Sequence, residues 1–116
     1  MYFNQLKTLY FRVSLSLLDQ INGSKLRDLM AEHIGGTVSS DEMKRALDRS
    51  FGSGAGAALG IHCIGTVNSR RTLINELHIN LKGPLTESTK LQDALDTSAR
   101  AQSDCSRGVV DAVGLD

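Results

Sequence analysis

The chain has 116 residues, 41% of them apolar and 4% aromatic with no Trp, and 13 Lys plus Arg balance 13 Asp plus Glu. That length holds one domain with a modest, mainly aliphatic core. Zero net charge argues against a dedicated nucleic-acid binder, which carries a basic surplus, and no apolar run is long enough for a membrane helix.

The first residues do not read as a secretory signal, because Lys7 and Arg12 interrupt the apolar stretch and no small-residue cleavage site follows. Phe3, Leu6, Tyr10, Val13, Leu17 and Ile21 recur at helical spacing, predicting a helix over about 3–21 that Asn22-Gly23 stops. Ser24 is placed to cap a short second helix carrying Leu26, Leu29 and Met30. Gly35-Gly36 ends it. Ser39 and Glu42 then form the Ser-x-x-Glu pattern of a capping box, opening a third helix with Met43, Ala46, Leu47 and Phe51 on one face. The stretch 52–56 is Gly-Ser-Gly-Ala-Gly and reads as a flexible joint.

Two strand-like runs follow, 58–64 and 73–81. Leu59, Ile61 and Cys63 alternate onto one face of the first; Leu73, Leu77, Ile79 and Leu81 do so in the second. Gly83-Pro84 closes the second run. Residues 85–104 are polar, with Leu91, Ala94 and Leu95 as material for a helical turn or two. The tail from Arg107 carries Val109, Val110 and Val113, enough for a short strand or packed coil. The organisation is a single α+β domain over 1–116: helices at about 3–52, a strand pair at about 57–82, and a polar excursion and tail over 83–116. Three N-terminal helices pack on a small antiparallel sheet.

If the two strands pair with their apolar faces together, His62, Glu76 and His78 share the opposite face. Two histidines and a carboxylate are candidate acid/base groups or metal ligands; half-exposed strands also routinely turn such residues to solvent, which is the plainer reading. Arg70-Arg71, between the strands, can hold a phosphate or can be a solvated turn. Asp93, Asp96 and Asp104 lack the spacing of a calcium loop, and Cys63 and Cys105 show neither zinc nor redox spacing. No metal and no cofactor are expected.

The order of several motifs resembles the C-terminal half of the ribonuclease T2 family. Tyr10-Phe11-Arg12-Val13-Ser14-Leu15 looks like the helix that follows the second catalytic motif of that family. Gly35-Gly36-Thr37-Val38-Ser39 is similar to its Gly-Gly-Thr-Tyr-Ser turn, with Val38 at the aromatic position. The Ile61-x-Cys63 strand, the Leu73-x-x-Glu76-Leu77-x-Ile79 strand and the late Cys105 complete the series. The second strand departs from the family in carrying Asn80 where a cysteine often stands, and the excursion before Cys105 is long.

The resemblance implies an RNA endonuclease fold that acts by transphosphorylation through a 2′,3′-cyclic phosphate without metal, in a secreted or periplasmic family. It also implies a disulfide between Cys63 and Cys105, two free thiols being the alternative. The catalytic motifs, His-Gly-Leu-Trp-Pro and His-Glu-Trp-x-x-His-Gly-Thr, are absent from the sequence. Glu32-His33-Ile34-Gly35-Gly36-Thr37 mimics the second but lacks its Trp and first His, has an extra Gly, and follows the Tyr-Phe helix instead of preceding it. His33 reads instead as a residue of the last turn of helix 2. The expected function is therefore a truncated or non-catalytic ribonuclease T2-like protein with at most RNA binding. Self-association, or a missing N-terminal half of the domain, would cover the apolar groups Leu9, Phe11, Leu15 and Leu18. The alternative is a small protein-interaction module without ribonuclease function.

Overall fold

The computed structural model describes residues 16–65 and 72–110. The first fifteen residues, Arg70-Arg71 and Val113 lie outside them, and with them most of the expected first helix and its Tyr10-Phe11 motif. Residues 16–22 are helical (α1) and end where Gly23 N–H donates to Asp19 O. Then come α2 (Lys25–Glu32), β1 (Thr37–Ser39), α3 (Ser40–Phe51), a 3-10 turn (Ala55–Ala58), β2 (Leu59–Gly65), β3 (Thr72–Ile79), α4 (Leu91–Ala94) and β4 (Arg107–Val109). The class is α+β, as the run of helices followed by strands predicts. No helix among the described residues is long and apolar enough to cross a membrane.

Local chemistry accounts for the helix boundaries. Ser24 holds the N-cap position of α2, but its hydroxyl turns back and donates to Ile21 O at 2.6 Å. The cap comes from the neighbouring helix instead: Lys25 N–H donates to Ser50 Oγ at 2.7 Å. At α3 the capping box is complete, with Glu42 N–H donating to Ser39 Oγ and Ser39 N–H to Glu42 Oε1, both at 3.1 Å. Met43, Ala46 and Leu47 are buried. Gly52, at φ 107°, stops the helix in a conformation that side chains resist. The glycine-rich joint beyond it is a packed turn: Ala55 and Ala58 are buried, and Gly56 N–H donates to Asp48 Oδ1 at 2.6 Å.

The sheet has four strands in the order β1-β4-β3-β2. β2 and β3 pair antiparallel, as expected, and β1 pairs antiparallel with β4. β4 runs parallel to β3, so the sheet is mixed and not wholly antiparallel. The β2–β3 register slips between His62 and Cys63: His62 faces Glu76 while Cys63 faces Ile74, leaving Asn75 as the extra residue of a bulge. A one-residue slip exchanges the faces of a strand. Leu77 and Ile79 face the core as the alternation predicts, but beyond the bulge Ile74 takes that role in place of Leu73. Leu73 lies opposite Ile64, on the His62 side.

The core sits between the sheet and the helices and is built from Leu26, Met43, Leu47, Leu59, Ile61 and Leu91, all 1% exposed or less. The polar excursion is well anchored. Leu91 and Leu95 enter the core, Gln20 grips the chain by donating to Thr89 O and accepting from Leu91 N–H, and Leu81 bridges to Leu95.

Candidate functional site

β2 is an edge strand of the sheet, so the main-chain groups on its outer side need partners. Residues 101–105 supply them irregularly. Ala101 N–H donates to Ala57 O, in the turn before the strand, at 2.8 Å, and Asp104 N–H to Ile61 O at 3.1 Å. In the other direction Ile61 N–H donates to Ser103 Oγ and Cys63 N–H to Asp104 Oδ1, both at 2.9 Å. Two side chains thus stand in for carbonyls of a missing strand. Cys63 and Cys105 are joined by a disulfide, their Cα atoms 6.0 Å apart, within the usual span of such bridges. The clasp also lies close over Gly60, where a Cβ would run into Gln102 O.

The register of β2 and β3 sets His62 against Glu76 and Gly60 against His78. The three candidate residues therefore share the face turned from the core. The His62 and His78 rings lean on one another, with centroids 4.3 Å apart and planes tilted by 37°. His78 Nε2–H donates to Glu76 Oε2 at 2.6 Å. His62 Nδ1–H donates to Asp104 Oδ2 at 3.3 Å. The result is a continuous series, Asp104–His62–His78–Glu76, across the open sheet face. Asp104 is held below the usual carboxylate range, first by the hydrogen bond it accepts from Cys63 N–H and then by His62 beside it.

Asp104 is the member that pattern reading misses. A signal for it exists: Asp104 and His62 each directly precede a half-cystine, so the bridge alone brings them side by side. The other sequence candidates stand elsewhere. His33 is at the C-terminal end of α2, its Nδ1–H donating to Leu29 O at 2.8 Å, which is the structural role expected for it. Asp96 closes a local turn by accepting from the amide and hydroxyl of Ser98, and these bonds hold its carboxyl below the usual range. A groove of about 240 Å³ between α2 and α3 is lined by Lys25, Asp28, Glu32, Arg45 and Arg49 among others, charges of both signs that select no one ligand.

The series is open to water. The side chains of His78, Glu76 and Asp104 are each more than half exposed, and that of His62 is 27% exposed. Acid–base catalysis of RNA cleavage places its two groups on either side of the reacting phosphate, whereas these rings touch and leave no gap between them for one. Each ring is in contact with the other and hydrogen-bonded to its own carboxylate. Among the described residues, Cys63, Asp104 and Cys105 bring three metal-type donor atoms within 4.8 Å of one another, but their sulfurs are bonded together and offer no thiolate. No protein-family model and no curated protein matches the chain.

Proposed function

We propose that this chain is the helix-and-sheet portion of a ribonuclease T2-like domain, without catalytic activity by itself, which cleaves RNA only when joined by a segment carrying the two histidine motifs. The observation that carries the reading is the bridge between Cys63 of the Ile-x-Cys strand and Cys105. It is the pairing the resemblance implies, and it occurs in a chain with the Gly35-Gly36-Thr37 turn, the capped α3 and the Glu76-Leu77 strand in family order. Inactivity of the isolated chain follows from the chemistry. Transphosphorylation needs a placed base, a placed acid and cationic support for the phosphorane, and the touching His62 and His78 rings do not flank a phosphate.

The test is an RNA cleavage assay on the pure chain, alone and mixed with a separately made segment bearing both histidine motifs. The expected result is no cleavage alone and formation of 2′,3′-cyclic phosphate ends in the mixture. Failure of the mixture to cleave overturns the proposal, as does metal-independent cleavage by the chain alone that disappears in His62→Ala or His78→Ala.

A second reading, a small protein-interaction module, is favoured by one observation. Leu18, Ile34 and Ile64 are 48–53% exposed despite being large and apolar. A chain that stays monomeric and binds no added segment counts against both readings.

A further inference from the structure

The two histidines of the sheet face are each oriented by a carboxylate. An ionised carboxylate only accepts hydrogen bonds, so the bonds to Asp104 and Glu76 put the ring protons on Nδ1 of His62 and Nε2 of His78. In the neutral rings, Nε2 of His62 and Nδ1 of His78 then carry the lone pairs. A carboxylate on one ring nitrogen with the other nitrogen left open is how metal-binding histidines are oriented and made more basic. The two rings are already side by side, at 4.3 Å, on an antiparallel strand pair. Metal–imidazole bonds of about 2.0–2.1 Å let two nitrogens up to about 4 Å apart share one ion.

We propose that His62 and His78 form a two-histidine site for a divalent transition-metal ion of the Ni²⁺, Cu²⁺ or Zn²⁺ class. Asp104 and Glu76 are its positioning carboxylates, and water fills the remaining coordination positions. Imidazole donors select this class over Mg²⁺ and Ca²⁺, which take oxygen ligands. His33 is separated from the site in both position and bonding, since its Nδ1–H is committed to Leu29 O, and it serves as the internal control.

The experiment is a titration of the full ¹⁵N-labelled chain with Ni²⁺ at pH 7.5, followed by NMR and calorimetry. The expected result is saturable one-site binding, with paramagnetic broadening centred on residues 60–63, 76–78 and 104. His62→Ala and His78→Ala each weaken binding tenfold or more, Glu76→Gln weakens it about tenfold, and His33→Ala leaves it unchanged. Circular dichroism checks that the variants fold. If His62→Ala loosens the clasp, His78→Ala and Glu76→Gln decide, because their side chains lie on the open face. Absence of saturable binding, broadening centred on His33 or a chain terminus, or affinity unmoved by His78→Ala overturns the site.

Discussion

The carboxylate of Asp104 accepts the backbone N–H of Cys63 at 2.9 Å and, through its other oxygen, the ring N–H of His62 at 3.3 Å. One side chain thereby closes the edge of the sheet and fixes the end of the polar series on its face. That double duty ties sheet stability to acidity. Because its acidity is raised in the folded state, Asp104 stabilises the fold fully above the ordinary carboxylate range, and the contribution is lost as pH falls through its lowered value. Glu42, held low by the Ser39 amide and hydroxyl, and Asp96 act in the same direction. Stability should therefore decline below about pH 4. Asp104→Asn, which keeps an acceptor for Cys63 N–H, should make the decline shallower without abolishing it. Urea midpoints measured from pH 7 down to pH 3 check this; equal slopes for the two proteins would refute it.

Removing the disulfide should have two separable effects. In the chain-entropy model, a bridge between residues 42 apart stabilises by about 4 kcal/mol, less any strain. Cys63→Ala with Cys105→Ala should lower stability by several kcal/mol. It should also speed amide exchange at Ile61, Cys63 and Asp104 ahead of exchange in α3, because the bridge clamps the segment that covers them. Uniform acceleration across the molecule would mean the clasp does not open by itself.

Two glycines of β2 should respond unequally to the same change. A Cβ on Gly60 meets the main chain at Gln102, whereas among the described residues nothing lies within 4 Å of a Cβ on Gly65. Gly60→Ala is expected to destabilise by about 1–3 kcal/mol through overpacking, and Gly65→Ala to fall within about 0.5 kcal/mol of neutral. Denaturant unfolding of the pair reads this directly.

The third helix depends on its first turn. Ser39→Ala removes the oxygen that receives Glu42 N–H and should cost about 0.5–2 kcal/mol. Ser24→Ala removes no such cap, because the first amide of α2 is capped by Ser50. Ser50→Ala should therefore harm α2 although it lies in α3. Comparing helical signal and melting temperature across the three variants tests the assignment.

What was legible in the sequence follows from the range of the interactions concerned. The capping box of α3 and its buried face rest on contacts three and four residues apart, and the alternation of Leu59, Ile61, Leu77 and Ile79 records a single pair of strands, so both could be read directly. The shared face of His62, Glu76 and His78 followed from that alternation. The bulge at Asn75 left no mark in residue type, so the exchange of Leu73 for Ile74 was hidden. β1 and β4 have three residues each, too few for a period to show. The grip of Gln20 on residues 89–91 and the place of Asp104 depend on partners far away in the chain, which no local pattern encodes.

The position of β4 bears on how the molecule is made. Translation delivers β1, then β2 and β3, yet β1 and β3 are not neighbours: Arg107–Val109, among the last described residues, lies between them. A nascent chain can form its helices and the β2–β3 hairpin as they leave the ribosome, but it holds two unjoined pieces of sheet until the final strand arrives. A product that stops before Val109 keeps the inner edges of both pieces open, in the form that invites pairing with other chains. Chaperone capture and degradation should accordingly fall on chains cut short at this end, even though they contain every helix and the whole hairpin.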